Sequence, residues 1–211
     1  EAVREMTRAL KIGPHLHEDF RKVEVFERLR ARSDVQVLLD RARVAAEYLV
    51  QATELSEDGS YEELLRLSEE HVGEAPDDPN GWYFQGVSLR MLGRYEKAKS
   101  ALLAGLERDD PGQHPLYWEE LGYVHVSLDR YEEALGFATR LEGVEERRAG
   151  GHYLRAYVLA SAGRAEEAVA AIQSLLDLQP AWHYSLEQED VFAGLLKRAD
   201  VQELIRKAKQ D

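Results

Sequence analysis

Hydrophobic positions along the chain recur at the spacing of amphipathic helices, and the predicted helices come in pairs. In the stretch from Trp82, the apolar residues Trp82, Leu89, Leu102 and Leu106 mark the stripes of two helices, with Gly93 between them. A glycine at that position allows the positive φ that a tight turn between two helices requires. The pattern therefore predicts an all-α chain built from helix–turn–helix units.

The same unit occurs four times along the chain. The copies read YLVQATELSEDGSYEELL, WYFQGVSLRMLGRYEKAK, WEELGYVHVSLDRYEEAL and HYLRAYVLASAGRAEEAV, and their starts at Tyr48, Trp82, Trp118 and His152 lie 34, 36 and 34 residues apart. Four positions after each start stands a small residue, namely Ala52, Gly86, Gly122 and Ala156. Small side chains there allow two helices to approach closely. Because one pair cannot bury its apolar face alone, the stacked copies must share a core.

This pattern resembles the tetratricopeptide repeat, in which W-x2-L-G-x2-Y is followed by A-x3-F and then P over about 34 residues. One copy keeps Trp82, Gly86, Tyr95 and Ala98, and the next keeps Trp118, Leu121, Gly122, Tyr131 and Ala134. The resemblance covers residues 45–180, as four repeats over 45–78, 79–112, 115–148 and 149–180. It implies a right-handed α-solenoid, a superhelix of antiparallel helix pairs.

Two segments of the chain are copies of one another. Residues 1–43 align without gaps with residues 167–209, and fifteen of the 43 positions are identical, whereas composition alone would give roughly three. We therefore interpret residues 1–14 as the second helix of a truncated upstream repeat and residues 15–44 as a joint module. Residues 181–211 form a C-terminal capping module, similar to the segments that close bacterial arrays of this family. On this interpretation the chain is a fragment of a longer tandem-array protein.

The joint and capping modules carry predictions about their last helices. Ser33 or Asp34 is the expected N-cap in the first copy, and Asp200 is the expected N-cap in the second. No helix breaker follows Asp34 before Gly59. The last helix of the joint module should therefore run without interruption into the first repeat.

Charge, cysteine content and hydropathy limit the classes of partner. The chain has 27 basic and 40 acidic residues, a net charge of −13; residues 1–43 and 191–211 each carry +2, which leaves −17 for residues 44–190. So acidic a field repels a phosphate backbone, and no nucleic-acid partner is predicted. The absence of cysteine excludes disulfides and thiol chemistry, fits the cytoplasm and is also compatible with the periplasm. No apolar run approaches the ~20 residues that a membrane span needs.

No pattern in the sequence predicts catalysis or metal binding. Paired acids such as Glu166 and Glu167 fall at predicted helix starts, where carboxylates complement the helix dipole. His15 and His17 are residue types that bind metal ions, but side chains two positions apart on a helix point apart and cannot share an ion. We therefore predict a solvated loop after Pro14 and no metal site there. The chain has no Gly-rich phosphate loop and no serine-nucleophile motif. We therefore predict a protein that is not an enzyme and that uses no cofactor.

The family resemblance locates the expected binding site. In such arrays the first helix of each pair lines a concave groove, and the residues off its packing stripe face inward. On this sequence those residues are Leu49, Thr53, Tyr83, Val87, Arg90, Glu119, Tyr123, Val126, Tyr153, Tyr157 and Ala160. Tyrosine is well suited to binding because it is rigid, apolar over most of its surface and polar at its tip. Tyr157 is equally compatible with packing between helices.

These patterns lead to three hypotheses about function. The first is a protein–protein interaction scaffold that binds a partner peptide or helix in the groove through the tyrosines, with Arg90 and Glu119 fixing its direction. The alternative is a self-assembling homo-oligomer, formed through the N-terminal half-repeat and the terminal module. The third is a small-molecule or enzymatic role, in which the acidic array holds a basic ligand; it rests on charge alone.

Overall fold

A computed structural model describes residues 2–22, 31–108 and 114–210 of the chain. Within these ranges all regular structure is helical, and no helix is long and apolar enough to cross a membrane. The α-helices are α1 (Ala2–Ile12), α2 (His17–Lys22), α3 (Ser33–Glu57), α4 (Tyr61–Glu74), α5 (Pro79–Met91), α6 (Tyr95–Leu106), α7 (His114–Ser127), α8 (Tyr131–Glu142), α9 (Arg148–Ser161), α10 (Ala165–Leu178), α11 (His183–Gln188) and α12 (Ala199–Ala208). Short 3₁₀ turns connect several of them.

The chain divides into two compact units. Unit 1 comprises Glu1–Gly93 with Ala104–Asp110, and unit 2 comprises Arg94–Leu103 with Pro111–Asp211. Helices α1 to α5 therefore belong to unit 1 and helices α7 to α12 to unit 2, while α6 contributes residues to both.

A residue with positive φ follows the first helix of each pair. Gly59, Gly93 and Gly163 have φ angles of 72°, 73° and 70°. Asp129 takes the equivalent place between α7 and α8 with φ of 56°, and its carboxylate accepts a hydrogen bond from the hydroxyl of Tyr131 at 2.8 Å. Aspartate is one of the few non-glycine residues that adopt this conformation readily. The tight turn predicted at Gly93 is confirmed, and the other three pairs have a residue of positive φ at the equivalent place.

The longest helix, α3, joins the first module to the first repeat without a break, as predicted. Its first half contributes to a core of Met6, Leu10, Val35, Leu39 and Ala42. Its second half contributes to a separate core of Tyr48, Ala52 and Leu64. Leu39 and Tyr48 are nine residues apart, which at about 100° per residue places them on opposite sides of an α-helix. One rigid helix thus supplies two cores from two faces.

The predicted N-caps of the module helices are wrong by one or two residues. Arg32 and Arg198 are the N-caps of α3 and α12, and Ser33 is already helical. Asp34 and Asp200 lie in the first turn, where each carboxylate accepts the N–H of the next residue, at 3.1 and 2.9 Å. Each carboxylate also binds the guanidinium two residues earlier through two hydrogen bonds of 2.7 to 3.0 Å. Each aspartate thus lies within the first turn of its helix and contacts the arginine that occupies the N-cap position.

The segment after Pro14 is helical, so the prediction of a solvated loop is wrong. Pro14–Leu16 forms a 3₁₀ turn that leads into α2, and proline is well suited to the first position of a helix. His17 is buried, and its Nδ1 lies 2.9 Å from the carbonyl oxygen of Pro14. The equivalent His183 is also buried, with its Nδ1 3.0 Å from the carbonyl oxygen of Pro180. The same histidine–proline contact therefore closes the turn in both modules.

A buried polar cluster anchors the first repeat of unit 1. The ring of His71 stacks on that of Tyr48 with centroids 3.8 Å apart, and its Nε2 lies 2.8 Å from Oδ2 of Asp78. Asp78 also caps α5 by accepting the N–H of Asn80 at 3.0 Å. Burial raises the pKa of Asp78, but the hydrogen bonds with His71 and Asn80 outweigh burial and hold that pKa below its ordinary value.

In unit 2 the helix pairs α7–α8 and α9–α10 pack closely on one another. A Cβ atom added at Gly122 of α7 would lie 2.5 Å from Cδ2 of Leu154 in α9. A larger residue would force the buried side chain of Leu154 to move, which agrees with the expectation that a small residue brings the helices together at this position. Ala156, the corresponding residue of α9, is fully buried.

Arginines in successive turns of unit 2 hold glutamates of the preceding repeat. The pairs are Arg130–Glu96 at 3.1 Å, Arg164–Glu132 at 2.8 Å and Arg198–Glu166 at 2.7 Å. The glutamates stand at the starts of α6, α8 and α10. The acids at helix starts therefore have a structural role in stacking, in addition to their favourable position near the helix dipole.

We expect the substitution of glycine by alanine to have opposite effects on stability at two positions with open space around them. A Cβ atom at Gly136 or Gly163 would meet nothing within 4 Å. Because Gly163 has φ of 70°, we expect Gly163→Ala to destabilise the protein by about 1 kcal/mol. Gly136 lies inside α8, where Gly136→Ala should stabilise by about 0.5–1 kcal/mol. Urea titrations followed by far-UV circular dichroism measure both changes, and effects of equal sign would contradict the requirement for positive φ at the turn.

Replacing Asp78 by asparagine keeps a cap for α5 and removes the negative charge. We expect Asp78→Asn to lower the free energy of unfolding by about 1–2 kcal/mol near neutral pH, because His71 loses an ionised partner. The folded-state pKa of Asp78 is depressed, so its contribution is present above the unfolded-state value of about 3.9 and is lost as the pH falls through the folded-state value. Denaturant titrations of both proteins at about pH 5 and about pH 3 should show the difference shrinking at the lower pH. A difference that does not change with pH would contradict this role.

Candidate functional site

The residues predicted to line a groove lie on α3, α5, α7 and α9, the first helices of the four pairs. Helices α3 and α5 are in unit 1, and helices α7 and α9 are in unit 2. Each unit therefore presents its own set of predicted residues.

In unit 1, four of the five predicted residues reach the surface. Thr53 is exposed, and its hydroxyl donates to the carbonyl oxygen of Leu49 at 2.8 Å. Leu49, Tyr83 and Arg90 are partly exposed. The ring of Tyr83 meets that of Phe84 edge to face, with centroids 5.3 Å apart. The predicted residues of unit 1 that reach the surface are thus one aromatic ring, one aliphatic side chain, one hydroxyl and one cation.

In unit 2, aromatic rings from successive elements form a row. Tyr123 of α7 and Tyr157 of α9 meet edge to face with centroids 5.2 Å apart. Tyr157 in turn meets Phe192 of the C-terminal module at 6.2 Å, again nearly perpendicular. We call Tyr123, Tyr157 and Phe192 the aromatic row; the two tyrosines are partly exposed and Phe192 is fully buried. Since edge-to-face contacts favour fixed ring positions, the tyrosines present a rigid apolar surface with polar tips.

Two of the predicted groove residues, Val87 and Tyr153, are buried, each only 7% exposed. Val87 lies in a run of buried residues on α5. Tyr153 packs against Trp182 at 4.9 Å and against Phe192 at 5.8 Å, measured between ring centroids. The C-terminal module thus covers the position of Tyr153, and neither residue offers surface to a partner.

Three further predicted residues, Glu119, Val126 and Ala160, are partly exposed on α7 and α9. The negative charge of Glu119 affects the buried Tyr153 of unit 2. Burial contributes most to raising the pKa of the Tyr153 hydroxyl, and the carboxylates of Glu189 and Glu119 raise it further. One acid from the C-terminal module and one from α7 therefore lie within electrostatic reach of the same ring.

Phe192 and Trp182 are the site residues that sequence reasoning missed. The duplicated segment places Phe192 in an apolar stripe, which indicates that it is buried. No periodicity in the chain indicates which rings it supports, because Phe192 follows the last helix pair and lies outside the repeat pattern. Trp182 has no aromatic counterpart in the first copy, where Leu16 stands.

Residues 2–22, 31–108 and 114–210 contain no group of three or more His, Asp or Glu side chains placed to hold a metal ion. Three of the acids at helix starts, Glu96, Glu132 and Glu166, bind arginines that follow the next helix along the chain. The feature of unit 2 that could bind a partner is the partly exposed aromatic row, with Glu119 on the same helix as Tyr123.

The sequence profile described as Tetratricopeptide repeat matches the chain three times. The matches cover residues 31–114, 85–146 and 120–181, which together span well over half of the chain. No curated protein sequence matches it.

Solved structures share the fold. MamA, residues 41 to the end, from Desulfovibrio magneticus RS-1 is 22% identical, with a TM-score of 0.58 over 79% of this chain and 93% of that one. A second structure of MamA is 16% identical, with a TM-score of 0.57 over 75% of this chain and 92% of that one. YrrB, described as a TPR protein with an unusual peptide-binding site, is 19% identical, with a TM-score of 0.54 over 85% and 92%. These likenesses concern the fold, and the predicted all-α solenoid of helix pairs is confirmed.

Proposed function

The chain belongs to the tetratricopeptide repeat family, a family of protein-interaction scaffolds, and on that basis we propose that it binds a segment of a partner protein without catalysing a reaction. The aromatic row carries the proposal. Tyr123 and Tyr157 are partly exposed, and contacts with one another and with Phe192 hold their rings. Rings that are already ordered lose little conformational entropy on binding, which favours affinity.

Three other residues of the same helices define the rest of the proposed surface in unit 2. Val126 and Ala160 add apolar area beside the tyrosines on α7 and α9, and Glu119 supplies a charge. In unit 1 a separate set of contact residues is proposed, namely Leu49, Thr53, Tyr83 and Arg90. YrrB, which shares the fold, is described as having a peptide-binding site, and a peptide is the class of partner that this surface suits best.

A double substitution tests the proposal. We expect Tyr123→Ala with Tyr157→Ala to reduce the amount of partner protein captured from a lysate of the source organism by about tenfold or more, as the loss of two interface aromatics generally does. Tyr184→Ala is the matched control, because Tyr184 is 68% exposed and lies outside the aromatic row. Quantitative mass spectrometry of the captured proteins measures the change, and circular dichroism confirms that each variant is folded. Partners that the double variant retains in full would contradict the proposal.

We propose self-association as a second candidate function, because the first module exposes apolar side chains that its copy lacks. Val37 and Val44 on α3 are 53% and 41% exposed. They are seven residues apart and therefore share one helix face. The equivalent residues of the second copy are Glu203 and Gln210. A second copy of the chain that covers this face would account for the difference.

Substitutions taken from the second copy test self-association. We expect Val37→Glu with Val44→Gln to lower the mass that light scattering measures at high protein concentration, because the paired apolar face is lost. Val50→Gln is the control, since Val50 is 59% exposed on another face of α3. A parent protein that stays monomeric over the whole concentration range would exclude this candidate.

A further inference from the structure

Two of the elements that flank the aromatic row carry acids and no lysine or arginine. Helix α7 contains Glu119 and Glu120 and no basic side chain other than histidine. The segment 179–190, which leads into Phe192, contains Glu187, Glu189 and Asp190 and likewise has no lysine or arginine. The row is therefore bordered by one sign of charge along two of its neighbouring elements.

Two of these acids are not neutralised within the described part of the chain. Glu187 binds Lys209 at 2.8 Å. In residues 2–22, 31–108 and 114–210, by contrast, no ion pair engages Glu189 or Asp190, and both are exposed. The carboxylate of Glu189 lies close enough to the row to act on the hydroxyl of Tyr153, which packs on Phe192. Negative charge is thus available to a partner next to the aromatic surface.

The basic residues of α9 do not cancel this charge. Arg155 is bound by both oxygens of Glu142, at 2.6 and 2.9 Å, and by the hydroxyl of Thr139 at 2.8 Å, all on α8. Its guanidinium is therefore engaged on the α8 side of the helix. Arg148 stands at the start of α9, a turn and more away from Tyr153.

We infer that the partner segment is basic, with lysine or arginine beside an apolar or aromatic side chain. The apolar side chain would cover the exposed edges of Tyr123 and Tyr157. The cation would lie over a tyrosine ring or beside Glu189 and Asp190, since both the ring face and the carboxylates attract positive charge. This inference rests on the proposed function and specifies the chemistry of the partner at the same surface.

Selection from a randomised peptide library displayed on phage tests the inference, because such a library offers acidic, basic and apolar peptides to the surface in the same experiment. The full chain is the bait, and we expect the selected peptides to be enriched in lysine and arginine next to apolar residues. A synthetic peptide of the most enriched sequence is then compared by fluorescence anisotropy with a version in which every lysine and arginine is replaced by glutamate. We expect charge reversal to weaken binding on the order of tenfold or more, and added salt to weaken binding of the basic peptide.

Charge-removing variants of the protein locate the contact. Glu189→Gln with Asp190→Asn should weaken binding of the basic peptide several-fold. The matched control is Glu69→Gln with Glu70→Gln, which removes the same charge from exposed positions on α4 of unit 1 and should leave binding unchanged. Tyr123→Ala with Tyr157→Ala should also weaken binding.

The outcomes separate the inference from the proposed function. Selected peptides that lack lysine and arginine and lose binding to the tyrosine variant would overturn the inference and leave the proposed function standing. Failure to select any peptide would contradict both. Basic peptides that bind the Glu189–Asp190 variant and the control variant equally would show a diffuse attraction to the acidic chain and would also overturn the inference.

Discussion

The packing of Phe192 against Tyr153 and Tyr157 is the contact on which the organisation of unit 2 depends. A helix pair leaves one apolar face open, and the last pair of an array needs a different element to cover it. Phe192 is fully buried in that role, together with Leu186 and Val201 of the C-terminal module. Burial of a phenylalanine side chain contributes about 1.5–3 kcal/mol, and the edge-to-face contacts add to that. The same ring that closes the core also fixes Tyr157 at the surface, so the stability of the module and the shape of the candidate site are linked.

Sequence reasoning predicts the elements of this fold well where the period of the repeat determines them. The turn at Gly163 and the unbroken helix α3 follow from local rules that act within a few residues. The burial of Tyr153 does not follow from such rules, because it depends on rings that lie outside the repeat and pack back onto α9. The burial of His17 is missed for a similar reason. The composition of this segment suggests a loop, whereas the contact of His17 with the carbonyl oxygen of Pro14 closes a buried turn. The groove residues therefore stay a prediction, and local rules do not indicate the contacts with Trp182 and Phe192 that bury Tyr153.

The two copies of the module show how one backbone arrangement tolerates rearranged charges. In the first copy Arg21 binds Asp40 at 2.8 Å, between α2 and α3. The equivalent residues of the second copy are Glu187 and Arg206, with both signs reversed, and they bind Lys209 and Glu203 instead. Exposed ion pairs contribute little to stability, so the partners can be exchanged without a change of fold. The buried residues behave differently, since Val35 and Val201 are identical and fully buried in both copies.

The acidity of the chain has two different physical meanings in unit 2. Glu96 and Glu132 each bind an arginine of the following repeat, and Glu166 binds Arg198 of the C-terminal module, so their charge is already compensated. Glu189 and Asp190 border the aromatic row and have no such compensation among the described residues. An approaching cation gains more beside a carboxylate that lacks a partner than beside one whose charge is already compensated. The net charge of the chain is therefore a weak guide to its partner, and the distribution of unpaired acids around Tyr157 and Phe192 is a stronger one.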